Sequence, residues 1–127
     1  MRSPLNLKNV KPLLALPLAG LLAAGLVLNL VRPAKAGTLG YVSARSVQSY
    51  TVYLQAGQYE QISAVGDGDI DLEVRCPEHN VVVDSDFDRD NIPVCTFVAP
   101  ESGTYTIRVI NTEFYGVDFD LTVRRVG

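Results

Sequence analysis

The chain has 127 residues, 47% hydrophobic and 20% charged, with two cysteines, one histidine, no tryptophan and a formal charge of −3 at pH 7. That charge is unevenly laid out: Arg2, Lys8, Lys11, Arg32 and Lys35 precede residue 37, and the remainder carries six arginines, no lysine and fourteen acidic residues, a formal charge of −8. A surface so acidic excludes nucleic acid and anionic membrane surfaces as partners of that remainder.

Residues 1–36 read as an address. Arg2, Lys8 and Lys11 make a basic head, Leu13 to Val31 is an uncharged run rich in Leu and Ala, and Ala34-Lys35-Ala36 offers small residues at both ends of a cleavage tripeptide. This pattern predicts a secretory signal peptide removed after Ala36, and therefore a periplasmic or extracellular protein. The alternative is an uncleaved signal anchor, the only route by which the chain would touch a membrane, because the apolar run is just long enough to span one. Pro17, Gly20, Gly25 and Asn29 interrupt that run.

Residues 37–45 read as an N-terminal arm with a short strand around Tyr41, and residues 46–127 as one domain, large enough for a single core without metals or multiple staples. Ser49 to Leu54 alternates, with Tyr50, Val52 and Leu54 on one face and Tyr53 on the other. Gln58 to Val65 is a second strand, and Gly66-Asp67-Gly68 a tight turn. Asp69 to Cys76 alternates strongly, with Ile70, Leu72 and Val74 inward and Asp71, Glu73 and Arg75 outward. Val81 to Val83 starts a short strand that is expected to dissolve into an acidic loop, Asp84 to Asn91, where charge and low strand propensity disfavour regular structure. Cys95 to Val109 reads as a hairpin: Cys95, Phe97 and Ala99 share one face before Pro100, Tyr105, Ile107 and Val109 share one after Gly103, and Pro and Gly supply the φ values of the connecting loop. Val117 to Val123 closes the domain with Val117, Phe119, Leu121 and Val123 inward. Short strands at close spacing, with no helical periodicity between them, predict an all-β, antiparallel β-sandwich.

Cys76 and Cys95 are the two cysteines. Both fall on inward faces, and in an oxidising compartment a lone pair is expected to form a disulfide contributing about 3 kcal/mol in the chain-entropy model. A zinc or redox role lacks C-x-x-C spacing and a second histidine.

The runs G-D-G-D-I-D-L-E-V (66–74), T-F-V-A-P-E-S-G-T-Y-T-I-R-V (96–109) and F-D-L-T-V (119–123), with an Asp-rich loop between the first two, resemble the bacterial pre-peptidase C-terminal domain family over most of residues 46–123. The resemblance implies a small β-sandwich of jelly-roll type, carried mainly by secreted proteases as a C-terminal appendage. It also implies possible ligands, since clostridial collagenase relatives bind collagen and calcium. These motifs are ones of strand and turn, so they specify a fold better than a ligand.

Two acidic stretches invite a calcium reading. Asp67, Asp69, Asp71 and Glu78 have EF-hand spacing, but Leu72 stands where the loop requires Gly. Asp84, Asp86, Asp88 and Asp90 alternate through the expected loop, where their oxygens could converge on Ca2+; the competing reading is a solvated acidic loop that keeps a sheet edge from pairing. No catalytic constellation stands out. His79 and Ser85 lack an oxyanion-hole signature, and Glu60 with Glu73 would need a substrate cleft that a domain this small has little room for. The sequence therefore predicts a non-enzymatic, exported module that binds a protein or polysaccharide, with Tyr53, Phe114 and Tyr115 as candidate contact residues. The alternative is a calcium-dependent structural module of an exported system, and a hydrolase comes third.

Overall fold

The computed structural model describes residues 27–29 and 37–126. The expected signal segment, 1–36, therefore lies outside the described residues except for Val27–Asn29. Nine strands are described: β1 (Val27–Asn29), β2 (Thr38–Val42), β3 (Ser46–Leu54), β4 (Tyr59–Gly66), β5 (Asp71–Arg75), β6 (Val82–Asp86), β7 (Val94–Val98), β8 (Gly103–Asn111) and β9 (Val117–Arg125). They form two sheets, one in the order β1-β3-β8-β5-β6 and the other β2-β9-β4-β7. Every pairing is antiparallel except that of β1 with β3. This is the expected β-sandwich.

The alternation in the sequence decides what lies between the sheets. Tyr50, Val52 and Leu54 of β3, Leu72 and Val74 of β5, and Tyr105, Ile107 and Val109 of β8 face Ile62 and Ala64 of β4, Cys95 and Phe97 of β7, and Phe119 and Leu121 of β9, all of them buried. A period of two on each strand gives each sheet one apolar face, and the two faces must meet. Tyr50 meets Phe119 edge to face at 6.2 Å, and Phe97 stacks on Tyr105 at 6.1 Å, so aromatic pairs bridge the layers.

Two expectations are corrected. Cys95–Val109 is not a hairpin, because β7 and β8 belong to different sheets and the Pro100–Ser102 corner carries the chain across the sandwich. Parity cannot separate the two arrangements, since both turn the same side chains toward the core. The corner is held by Tyr105, whose hydroxyl donates to Glu101 O at 2.6 Å and accepts from Glu101 N at 3.1 Å. Gly103 completes it with φ of 155° against the Pro77 ring, which a Cβ would strike.

The second correction is that the strand starting at Val82 runs on through Asp84 to Asp86. Asp84 pairs across from Val74 and Asp86 from Leu72, both inward residues, so the two carboxylates point toward the opposite sheet from its companion's edge. A strand tolerates them there because they find donors.

Candidate functional site

The acidic segment is best followed from those donors. β7 is the edge of the four-stranded sheet, and its Val94 and Thr96 amides lie on the side away from β4. Asp86 Oδ2 accepts from Val94 N at 2.8 Å, and Asp84 Oδ2 accepts from Thr96 N at 2.8 Å. Their other oxygens accept from Asp88 N at 3.1 Å and Ser85 N at 3.0 Å. Two carboxylates on the edge of one sheet thus stitch it to the edge of the other, with short, charge-assisted bonds to amides that would otherwise be open for pairing.

Asp90 Oδ1 accepts from Ile92 N at 2.9 Å, while Asp88 is exposed. The four aspartates expected to converge on Ca2+ are therefore dispersed along a seam, each of three engaged with main chain. Among the described residues, no group of three or more His, Cys, Asp or Glu side chains is gathered to hold a metal ion. The crowding lies instead around β5. Asp71 is pushed up to about 6 by burial and by the charges of Asp69, Asp86 and Asp90, and Asp69 Oδ1 is buried without a hydrogen bond.

Both cysteines are free thiols, so the expected Cys76–Cys95 bridge is not formed. The parity was right and the height was not. Cys95 Sγ lies 3.9 Å from Leu72 O, whereas Cys76 follows Leu72 by four residues, about 13 Å along an extended chain. Cys76 Sγ lies instead 3.8 Å from Glu78 O. Burial, with the charges of Asp84, Asp86 and Glu73, raises the Cys95 thiol to about 12, which leaves it protonated and unreactive.

The residues considered for catalysis are scattered. His79 is exposed in a turn with φ of 64°. Glu60 is fully buried between the sheets, with Arg125 Nε at 3.8 Å from its Oε2. Glu73 lies on the outer face of the other sheet, where Arg75 Nε at 2.9 Å and Arg108 at 2.6 Å hold it; burial raises its pKa, and these bonds outweigh burial and lower it.

The three candidate contact residues divide between the two ends. Tyr53, 41% exposed, pairs with Thr104 near the end of β3, seven residues and about 23 Å from the strand's start. Phe114 and Tyr115 lie at that start, in the β8–β9 loop, with Phe114 80% exposed and Tyr115 54%. The loop is built on one buried residue, Asn111. Its Nδ2 donates to Tyr115 O at 2.7 Å, Ser43 O at 3.1 Å and Val42 O at 3.3 Å, while its Oδ1 accepts from Glu113 N at 2.8 Å. Arg45 N donates to Glu113 O at 3.0 Å, and with φ of 53° Arg45 turns its guanidinium over the Phe114 ring, 5.0 Å from the centroid. Tyr115 packs over Gly68, and Tyr41 over Gly116, where a Cβ would run into its ring. Leu39, two residues before Tyr41 on the same outward face, is 82% exposed and lies beside Asp120, whose other neighbour is Val65, 57% exposed.

Leu39, Tyr41, Phe114 and Tyr115 with Arg45 make an apolar, aromatic surface with a polar margin of Asp67, Asp118 and Asp120. Sequence reading found Phe114 and Tyr115 and missed Tyr41 and Arg45. The available signal was that Gly116 follows Tyr115, a position that leaves room for a ring, but the partner ring lies seventy-five residues away in sequence.

The bacterial pre-peptidase C-terminal domain family matches residues 46–111. Among solved structures, PliG of Aeromonas hydrophila, a periplasmic inhibitor of g-type lysozyme, superposes with a TM-score of 0.66 at 20% sequence identity, over 81% of this chain and 100% of that one. The pre-peptidase C-terminal domain of Bacillus anthracis collagenase gives 0.62 at 13% identity, over 80% and 96%. CorA of Methylomicrobium album BG8, a surface-associated copper-binding protein, gives 0.61 at 10% identity, over 80% and 98%. No curated protein matches the sequence. At these identities the likeness is one of fold.

Proposed function

Because this chain belongs to the bacterial pre-peptidase C-terminal domain family, we propose that it is an exported, non-catalytic module that holds a protein partner on its aromatic end. The observation that carries this reading is the pair of exposed rings, Phe114 at 80% and Tyr115 at 54%, on a loop fixed from beneath by buried Asn111. Exposed aromatics cost a soluble domain solubility unless they are used, and at interfaces they are the residues whose loss weakens binding most.

Preorganisation supports it too. The Arg45 guanidinium over Phe114 and the Asn111 bonds restrain the loop before any partner arrives, so little ordering entropy remains to be lost on binding. Arg45, Asp67, Asp118 and Asp120 supply the polar rim expected around an apolar centre. The leader supports export, and the dispersed positions of His79, Glu60 and Glu73 support a non-catalytic role. A lysozyme inhibitor and a copper-binding protein share the fold, which shows that it serves as a binding scaffold elsewhere.

A photocrosslinking amino acid placed at position 114, and in a second protein at position 53, tests this reading in intact cells. A discrete crosslinked protein from position 114, reduced by Tyr41→Ala and absent from position 53, is the expected result. Crosslinks only to polysaccharide would replace the protein partner with a glycan. Equal yields of the same product from both positions would remove the aromatic end from the account.

A further inference from the structure

We propose that the edge of β3 in the processed protein is a strand-accepting site for an extended, uncharged segment of a partner protein, added parallel to β3, and that Val27–Asn29 keeps that place until the leader is removed. The inference rests on cleavage after Ala36 and is independent of the aromatic end.

The sandwich has four edges, and three carry devices against pairing with another chain. β6 turns Asp84 and Asp86 inward and is bent by a register shift between Val74 and Arg75 of its neighbour. β7 has its Val94 and Thr96 amides taken by those carboxylates. β2 is only five residues long. β3 has neither inward acidic residues nor a bulge, although Gln48 Nε2 donates to Ser49 O at 3.5 Å. Ser46–Leu54 is nine residues without a charge or a proline, and it pairs with β8 through nine successive residues without a bulge. A long, flat, uncharged edge is a template for another strand.

In the structure one is already there. Val27, Leu28 and Asn29 pair with Ser49, Tyr50 and Thr51 in the only parallel pairing of the described fold. They come from the segment whose pattern predicts removal at Ala36. Cleavage takes away β1 and leaves the described core intact, because among the described residues the buried core lies between Val42 and Leu121. The freed edge then offers main-chain donors and acceptors in the register that accepted V-L-N, the basis of strand addition as a mode of peptide recognition.

The test uses the exported protein, with its N-terminus read by mass spectrometry. Amide exchange along Ser46–Leu54 is followed with and without a synthetic peptide of residues Gly25 to Arg32. At about ten times the dissociation constant, exchange across Ser49–Thr51 is expected to slow about tenfold. A peptide N-methylated at alternate amides is expected to give no protection, because it lacks the donors. A spin label on the peptide's C-terminus is expected to broaden Tyr53 and Leu54 and spare Ser46, which is the parallel direction. Each of four results overturns the proposal: no protection at millimolar peptide, equal protection by the N-methylated peptide, broadening at the Ser46 end, or a leader still attached to the exported protein. A peptide-free dimer that protects the same amides also overturns it, assigning the edge to a second copy of this chain.

Discussion

At the β6–β7 seam two carboxylates occupy the open amides of an edge strand, whereas at the β3 edge the main chain of three residues, Val27–Asn29, lies alongside. The first closure is made of side chains that cannot leave. The charged acceptors bind amides at 2.8 Å and at the same time repel other acidic surfaces. The second is made of a segment that processing is expected to remove. One seam is closed by side chains that fold with the domain and the other only for as long as β1 stays, so acidic residues that look like metal ligands hold main-chain amides, and a strand that looks like architecture lies in the segment expected to be removed.

The largest expected effect comes from breaking the sealed seam. Asp84→Ala and Asp86→Ala each leave an edge amide without its charged acceptor, and hydrogen bonds to charged groups contribute about 1.5–3 kcal/mol. Each variant is expected to lose about 2 kcal/mol in urea unfolding, and the double variant about 4, unless the shared seam makes the losses less than additive. Asn at either position keeps an acceptor and should recover about half. Variants as stable as the parent would reduce the two aspartates to solvated charge.

A smaller effect lies one strand inward, where two carboxylates of β5 respond to pH in opposite ways. Burial first, then Asp69, Asp86 and Asp90, raise Asp71 from 3.8 to about 6. The folded protein therefore binds more protons than the unfolded chain between those values, so this group's contribution rises as pH falls from about 6 toward 4. Glu73 is lowered despite its burial by Arg75 and Arg108, so its contribution is present above its ordinary value of 4.5 and is lost as pH falls below it. Asp71→Asn is expected to stabilise the protein at pH 7 by about 1 kcal/mol, after discounting for solvent around a partly exposed carboxyl, and to flatten the rise below pH 6. Thermal melts of the parent and of Asp71→Asn between pH 4 and 7 measure both; a parent whose stability only falls across that range would contradict the assignment.

Stability should be least sensitive at the aromatic end. Phe114→Ala removes a ring that is 80% exposed, so its melting curve is expected to stay within about 0.5 kcal/mol of the parent while partner crosslinking from a probe moved to position 115 is lost. A large destabilisation would make Phe114 a packing residue and weaken the binding reading.

The fold was legible in the sequence wherever a period of two met an apolar face. Tyr50-Val52-Leu54, Leu72-Val74, Tyr105-Ile107-Val109 and Phe119-Leu121 all lie where the alternation placed them. Parity specifies a face, however, and not a partner strand or a height. That is why the Pro100 corner read as a hairpin and why Cys76 and Cys95 read as bridged. Composition misled at Asp84 and Asp86, because low strand propensity is overridden when a carboxylate finds an amide on the neighbouring sheet. The candidate surface was half legible. Phe114 and Tyr115 are adjacent in sequence, but Tyr41 and Arg45 join them only through the β2–β9 pairing and the Asn111 bonds.

Calcium gives the smallest expected effect and sharpens the comparison most. A calcium ion takes about six to eight oxygens at roughly 2.3–2.6 Å. Asp84 and Asp86 already accept from Thr96, Ser85, Val94 and Asp88, and Asp90 accepts from Ile92, so recruiting them to a metal would break the bonds that close the seam. Melts in millimolar calcium and in chelator are therefore expected to coincide. If calcium instead raises the melting temperature, Asp71→Asn and Asp88→Asn separate the sources. Loss of the shift in Asp71→Asn alone would move the metal to β5, where Asp69 Oδ1 is buried without a hydrogen bond. Loss in Asp88→Asn alone would return it to the acidic segment and mean that the seam opens to receive it.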